Sequence, residues 1–187
     1  MDRRYGDLRP EFVALGYLAE EALHGYELYR RFKEGLGSIW RISESQMYAT
    51  LKRMERQGLV RSGPPESTTA AARHILSLSQ EGTSLFNTWL SAPTVCSPRI
   101  LRLEFLTRLY FAQRLAPSSV DTIFSEQRDE VVAAIGRLGT PPADRHGSPE
   151  LAKLAASFSI RSLEAVLDWL DDEVQPSLPT LPDGGVK

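Results

Sequence analysis

The chain has 187 residues, of which 42% are hydrophobic and 25% are charged, and its net charge is −2. This length and composition are typical of a globular protein with one domain or two small ones, and no apolar run approaches the roughly 20 residues that span a bilayer. The start of the chain lacks the apolar stretch of a signal peptide, and Cys96 is the single cysteine. We therefore expect a cytoplasmic protein without disulfides or membrane contact.

Residues 9–21 and 26–35 are predicted to form two short helices, because apolar side chains recur in each at helical spacing. The segment Leu23-His24-Gly25-Tyr26 interrupts them. A glycine-containing connector, residues 37–42, follows, with Trp40 as an apolar anchor. The side chains expected to face inward are Phe12, Leu15 and Leu18 of the first helix, and Phe32 with either Leu28 or Tyr29 of the second.

A third helix, within residues 43–58, has both ends marked in the sequence. Ser43 is a good N-cap and Gln46 can complete a capping box. Gly58 suits the left-handed position that follows a last turn. The buried stripe is predicted to be Met47, Leu51 and Met54.

The other face of the third helix carries small, hydroxyl-bearing and cationic side chains. Such a face can enter a DNA major groove, because Lys and Arg pair with phosphates or guanines and small residues allow close approach. Residues 38–75 hold six basic side chains against three acidic ones. An ordinary amphipathic surface helix is the alternative, and the elements around the third helix distinguish the two interpretations. The residues on this face are Ser45, Tyr48, Ala49, Lys52, Arg53 and Arg56.

After Gly58 the hydrophobic pattern changes to that of strands. Residues 59–62 and 73–78 are predicted strands, joined by a turn-rich loop. Ser79 then caps another helix. Two helices with a glycine-containing connector, followed by a hairpin, predict a winged helix-turn-helix domain over residues 1–93.

Residues 94–175 are predicted to form a helical dimerisation domain, so the whole chain is mainly α with a small β-hairpin. Helices are expected from residues 98, 117 and 148. Apolar side chains left over on the last two favour pairing with a second copy, while packing within one chain is the alternative. Residues 176–187 are predicted to be a flexible tail. The inward side chains of the last helix should be Leu151, Leu154, Phe158, Leu163, Val166 and Leu170.

Three segments of the first half occur in a familiar order: residues 24–28 (HGYEL), residues 45–60, and residues 73–82. With weaker similarity through residues 89–93 and 103–111, they resemble the PadR-like family of transcriptional regulators. The sequence departs from that family at residues 74–76, where a second basic residue and aromatics are usual.

The resemblance implies a homodimeric regulator, most often a repressor, that binds double-stranded DNA at a palindromic operator. A small aromatic effector that releases the DNA is also implied, near the dimer interface. Phe105, Phe158 and Trp169 are candidates for its pocket, although such aromatics more often belong to a core or interface. The expected DNA contacts are Ser43, Ser45, Tyr48, Ala49, Lys52, Arg53, Arg56 and Arg73.

Enzyme and metal sites are not indicated. His24, His74 and His146 share no ligand spacing with one another or with Cys96, and the chain has no glycine-rich phosphate loop and no nucleophile elbow. We therefore expect no cofactor, no metal and no catalytic residue. The alternatives are a winged-helix protein–protein adaptor and a ligand-binding protein that does not bind an operator. Cys96 is either a thiol sensor or an inert buried hydrophobic side chain.

Overall fold

The computed structural model describes residues 8–64, 74–139 and 148–178. The chain divides into two compact units, Met1–Ala92 and Pro93–Lys187. Helices dominate both units, and the first also contains a small antiparallel sheet. Among the residues described, no helix is both long enough and apolar enough to cross a bilayer.

The first unit has the element order of a winged helix. Its sheet order is β1-β3-β2, with Leu23 opposite Leu76 and Val60 opposite Leu78. The predicted hairpin is confirmed, and β1 is an addition, because its segment was predicted only to interrupt two helices. The elements are α1 (Glu11–Glu20), β1 (Leu23–His24), α2 (Gly25–Gly35), α3 (Glu44–Arg56), β2 (Val60–Ser62), β3 (Ile75–Leu78) and α4 (Gln80–Ser91).

Helix α1 lies at the centre of the first unit. Its Phe12 ring stacks on Trp89 of α4, with centroids 4.5 Å apart and planes 8° apart. Helix α4 begins against the backbone that precedes β2, since a Cβ on Gly82 would lie only 2.1 Å from the carbonyl oxygen of Leu59. The predicted inward side chains Phe12, Leu15, Leu18 and Phe32 are buried, and of the two alternatives on the second helix Leu28 is the buried one.

The second unit is helical throughout its described part. A stretch that comprises α5 (Pro98–Ile100), a π-helical segment (Leu101–Phe105) and α6 (Leu106–Leu115) is buried on most sides. After a 3₁₀ turn (Pro117–Ser119) come α7 (Val120–Gly139) and α8 (Pro149–Trp169). A second π-helical segment (Leu170–Val174) and α9 (Gln175–Ser177) follow. The helix thus reaches into the predicted tail, whose residues 179–187 lie outside the described part.

The first half of α8 differs from its prediction. Leu151, Leu154 and Phe158 were expected to face inward, but they are 68%, 67% and 75% exposed. Further along the helix Leu163 and Val166 are buried, as expected. Helical periodicity identifies an apolar stripe, but it does not say whether the surface that covers the stripe belongs to the same chain.

A buried glutamine fixes the chain at the start of the second unit. Gln127 accepts a hydrogen bond from the backbone N–H of Thr94 (2.6 Å) and donates one to the Thr94 carbonyl (3.1 Å). Because both residues are about 1% exposed, this double bond satisfies backbone groups that water does not reach. Nearby on α7, Arg128 donates two hydrogen bonds to Asp171, at 2.8 and 2.9 Å.

Candidate nucleic-acid interface

Helix α3 begins in the capping box that its sequence predicts. The Gln46 backbone N–H donates to the Ser43 hydroxyl at 3.3 Å, and the Ser43 backbone N–H donates to the Gln46 side-chain oxygen at 2.8 Å. Past the other end, Gly58 has a φ of +74°, which favours glycine. Both helix termini are therefore fixed by local sequence, and Ser43 is engaged in the cap.

The two faces of α3 are separated as predicted. Met47, Leu51 and Met54 are buried, and Thr50 joins them. Burial of this stripe fixes the rotation of the helix about its axis, so its other face must point to solvent. The exposed residues include every one predicted there: Ser45, Tyr48, Ala49, Lys52, Arg53 and Arg56.

Tyr48 is positioned by the helix before α3. An ideal Cβ on Gly25, the first residue of α2, would lie 2.8 Å from Cε1 of Tyr48, so the ring lies against bare backbone. The tyrosine is still 43% exposed. Sequence reasoning selected Tyr48 but missed Gly25, because the contact joins two different helices.

The cations of α3 have different surroundings. The Arg53 guanidinium lies 3.8 Å from the carboxylate of Glu11, with Nη2 and Oε2 as the closest atoms. Neither Lys52 nor Arg56 forms an ion pair with another described residue. Lys52 and Arg56 are thus exposed cations without a counter-ion among the described residues, while the charge of Arg53 is partly compensated.

The wing, which is the β2–β3 hairpin, adjoins the exposed face of α3. Ser62 of β2 donates a short hydrogen bond to Glu55, which holds that carboxylate at the margin of α3. At the entry to β3, His74 Nδ1 is 2.9 Å from the Gly63 carbonyl, and His24 Nδ1 is 3.3 Å from the His74 carbonyl. These contacts tie β1, β2 and β3 together. Arg73, a predicted DNA contact, lies outside the described residues.

The three candidate effector residues differ widely in exposure. Phe105 is fully buried, Phe158 is largely exposed, and Trp169 is intermediate. One chain therefore does not present them as a single surface, and their ligand role stays a prediction. In the part of the chain that is described, no three His, Cys, Asp or Glu residues are grouped so that they could hold a metal ion.

The β2–β3 hairpin forms a wing beside α3, a capped helix with an exposed cationic face. This arrangement defines the class of protein: a winged helix-turn-helix transcriptional regulator. The family described as "Transcriptional regulator PadR-like family" matches residues 14–88, which include α3 and the whole sheet from β1 to β3. This part of the chain is therefore similar to that family.

Individual relatives are distant. The "Negative transcriptional regulator PadR" of Bacillus subtilis is 26% identical over 128 residues, which cover 68% of this chain and 70% of the relative. A probable transcriptional regulator of Mycobacterium tuberculosis is 25% identical over 170 residues, 83% of this chain and 90% of the relative. Among solved structures, Bacillus subtilis PadR in complex with operator DNA has a TM-score of 0.44 and 22% identity, over 86% of this chain and 95% of that one.

Proposed function

We propose that this regulator represses transcription by binding a palindromic operator as a homodimer. The observation that carries the proposal is the exposed face of α3, where uncompensated cations stand beside small side chains on a helix fixed at both ends. The Bacillus subtilis relative is described as a negative regulator and has been crystallised with operator DNA, which supports the same activity for this chain.

The proposed DNA contacts divide by chemistry. Ser45 and Ala49 are small and exposed, so they let the helix approach base edges closely. Lys52 and Arg56 carry full charges that suit phosphates. The Tyr48 hydroxyl donates a hydrogen bond to DNA, from a ring position that the absence of a side chain at Gly25 allows. The complete proposed set is Ser43, Ser45, Tyr48, Ala49, Lys52, Arg53, Arg56 and Arg73.

The proposed dimer forms through α8. Leu151, Leu154 and Phe158 follow one another at helical spacing and are each more than two-thirds exposed. A second copy that places the same stripe opposite would bury all six side chains by two-fold symmetry. The two copies of α3, which are the proposed recognition helices, should then lie about 34–36 Å apart, one turn of DNA.

The proposed effector is a small planar aromatic compound that releases the DNA. Its support is that Bacillus subtilis PadR has been crystallised with p-coumaric acid. In this chain Phe158 and Trp169 are the aromatic candidates that solvent reaches. Trp fluorescence that changes with added p-coumaric acid would support the proposal. We further propose that the protein acts in the cytoplasm and catalyses no reaction.

Binding to promoter DNA from the gene neighbourhood, at two salt concentrations and with the mass in solution, tests the proposed function. Tight, salt-sensitive and sequence-selective binding by a dimer is the expected result. A dimer that ignores DNA at low salt would overturn the proposal and favour the protein–protein adaptor. A dimer with ligand-dependent Trp fluorescence and no operator affinity would favour a ligand-binding protein instead.

A further inference from the structure

A carboxylate stands at the edge of the cationic face of α3. Glu11, the first residue of α1, lies 3.8 Å from Arg53, and the two side chains are 25% and 47% exposed. They come from distant parts of the sequence and meet where α1 passes α3. The surface proposed to attract DNA thus contains an acidic side chain beside one of its three cations.

This pairing changes what Arg53 contributes to DNA binding. An arginine that already faces a carboxylate adds less net charge, so its approach to phosphate releases up to about one counterion fewer than that of a free cation. Its hydrogen-bonding capacity is mostly preserved, however. A guanidinium has five N–H donors, and Nη2 alone is the closest group to Glu11.

The pairing of Glu11 with Arg53 affects the affinity for DNA of any sequence differently from the affinity for an operator. Sequence-independent affinity depends on the number of charges, whereas sequence-selective affinity depends on donors held in a fixed direction. On the basis of the proposed function, we propose that Glu11 determines how strongly the protein prefers its operator to other DNA. It partly compensates the charge of Arg53 towards all DNA and restrains the guanidinium on the side of α3 that faces α1.

The test uses the full-length protein and four variants: Glu11→Gln, Arg53→Ala, the double variant, and Glu44→Gln. Glu44 is a matched control, because it is also the first residue of a helix near the same surface but forms no ion pair with another described residue. The probes are a duplex that the wild-type protein enriches from a random-sequence pool, and sonicated mixed-sequence DNA. Affinities are measured over a range of salt concentrations, and thermal melts verify that each variant folds.

Glu11→Gln should tighten binding to mixed-sequence DNA up to about eightfold at about 0.1 M salt, and steepen the salt slope by up to about 0.9. The enriched duplex should gain less, because Arg53 loses the restraint that Glu11 provides, so the ratio of the two affinities falls. In the Arg53→Ala background Glu11→Gln should leave the salt slope and the ratio of the two affinities unchanged. Glu44→Gln should tighten both probes equally, with or without Arg53.

An unchanged salt slope in Glu11→Gln overturns the inference. So does a change of salt slope or of affinity ratio that persists without Arg53, or a gain that is equal for both probes. In each of these cases the wild-type protein still selects its duplex, and the proposed function stands. A wild-type protein that enriches no duplex overturns the proposed function, and the specificity role of Glu11 with it.

Discussion

The ring of Tyr48 lies against the backbone of Gly25, close enough that a Cβ at residue 25 would be 2.8 Å from Cε1. The contact joins the first residue of α2 to the exposed face of α3. Tyr26, the next residue of α2, is also exposed. The orientation of the tyrosine on the proposed DNA surface therefore depends on the absence of a side chain in the preceding helix.

Gly25→Ala should weaken DNA binding about tenfold with little loss of stability. The new methyl group displaces the ring of Tyr48, which can move because it is partly exposed, and one proposed contact worth about 1.4 kcal/mol is lost. Filter binding and a thermal melt measure the two effects. Gly136→Ala in α7 is the control, because its Cβ would meet nothing within 4 Å. It should leave DNA binding unchanged and stabilise the helix by about 0.5–1 kcal/mol. Normal binding by Gly25→Ala would show that the position of Tyr48 is unimportant for DNA.

Lys52→Ala should weaken binding to all sequences alike and lower the salt slope by about 1, because an exposed lysine without an ion pair acts on phosphate as a point charge. Titrations at several salt concentrations give the slope. Lys153→Ala removes the same charge from an exposed position on α8 and should leave the slope unchanged. If the slope of Lys52→Ala stays constant while preference at one base pair relaxes, Lys52 reads a base instead.

Local features of this fold could be predicted from sequence, and contacts between distant segments could not. The capping box of Ser43 and the stripe of Met47, Leu51 and Met54 depend on spacings of three or four residues, so the pattern contains all the information. Strand β1 has only two residues and forms through its pairing with β3. The pair of Glu11 and Arg53 likewise requires the packing of α1 against α3.

The exposed stripe of α8 shows where the pattern alone was insufficient. Leu151, Leu154 and Phe158 have the spacing of buried residues, yet one chain leaves them in solvent. A periodic stripe predicts that some surface covers it, but the same pattern serves a core and an interface. The exposure of these side chains is therefore the reason to look for the covering surface in a second copy.

Phe158→Asp should convert the proposed dimer to a monomer. The substitution places a charge in the middle of an interface that is otherwise apolar, at a cost of several kcal/mol if the charge is fully desolvated. Sedimentation equilibrium measures the mass. Ser157→Asp adds the same charge one residue away, on an exposed position outside the stripe, and should stay dimeric. The monomer should also bind a palindromic duplex more weakly, since two recognition helices then dock independently. If the Phe158→Asp variant remains dimeric, the dimer interface lies elsewhere than on this stripe of α8.

Cys96 is in surroundings that suppress its reactivity. The side chain is half-buried, and burial raises the pKa of its thiol to about 11. The carboxylate of Glu130 contributes to that rise, while Arg137 opposes it. Arg137 in turn lies 2.7 Å from Glu130. The nucleophilic species is the thiolate, so the thiol should be largely inert at neutral pH.

Labelling with iodoacetamide tests this consequence directly. At neutral pH the folded protein should react roughly a hundredfold more slowly than the unfolded chain, and its rate should rise with pH up to about 11. Glu130→Gln should accelerate labelling, because removal of a negative charge beside the thiol lowers its pKa and increases the thiolate fraction. Asp129→Asn, which alters the neighbouring exposed residue, should label at the wild-type rate. Rapid labelling of the folded protein at neutral pH, with loss of DNA binding, would instead support a thiol sensor.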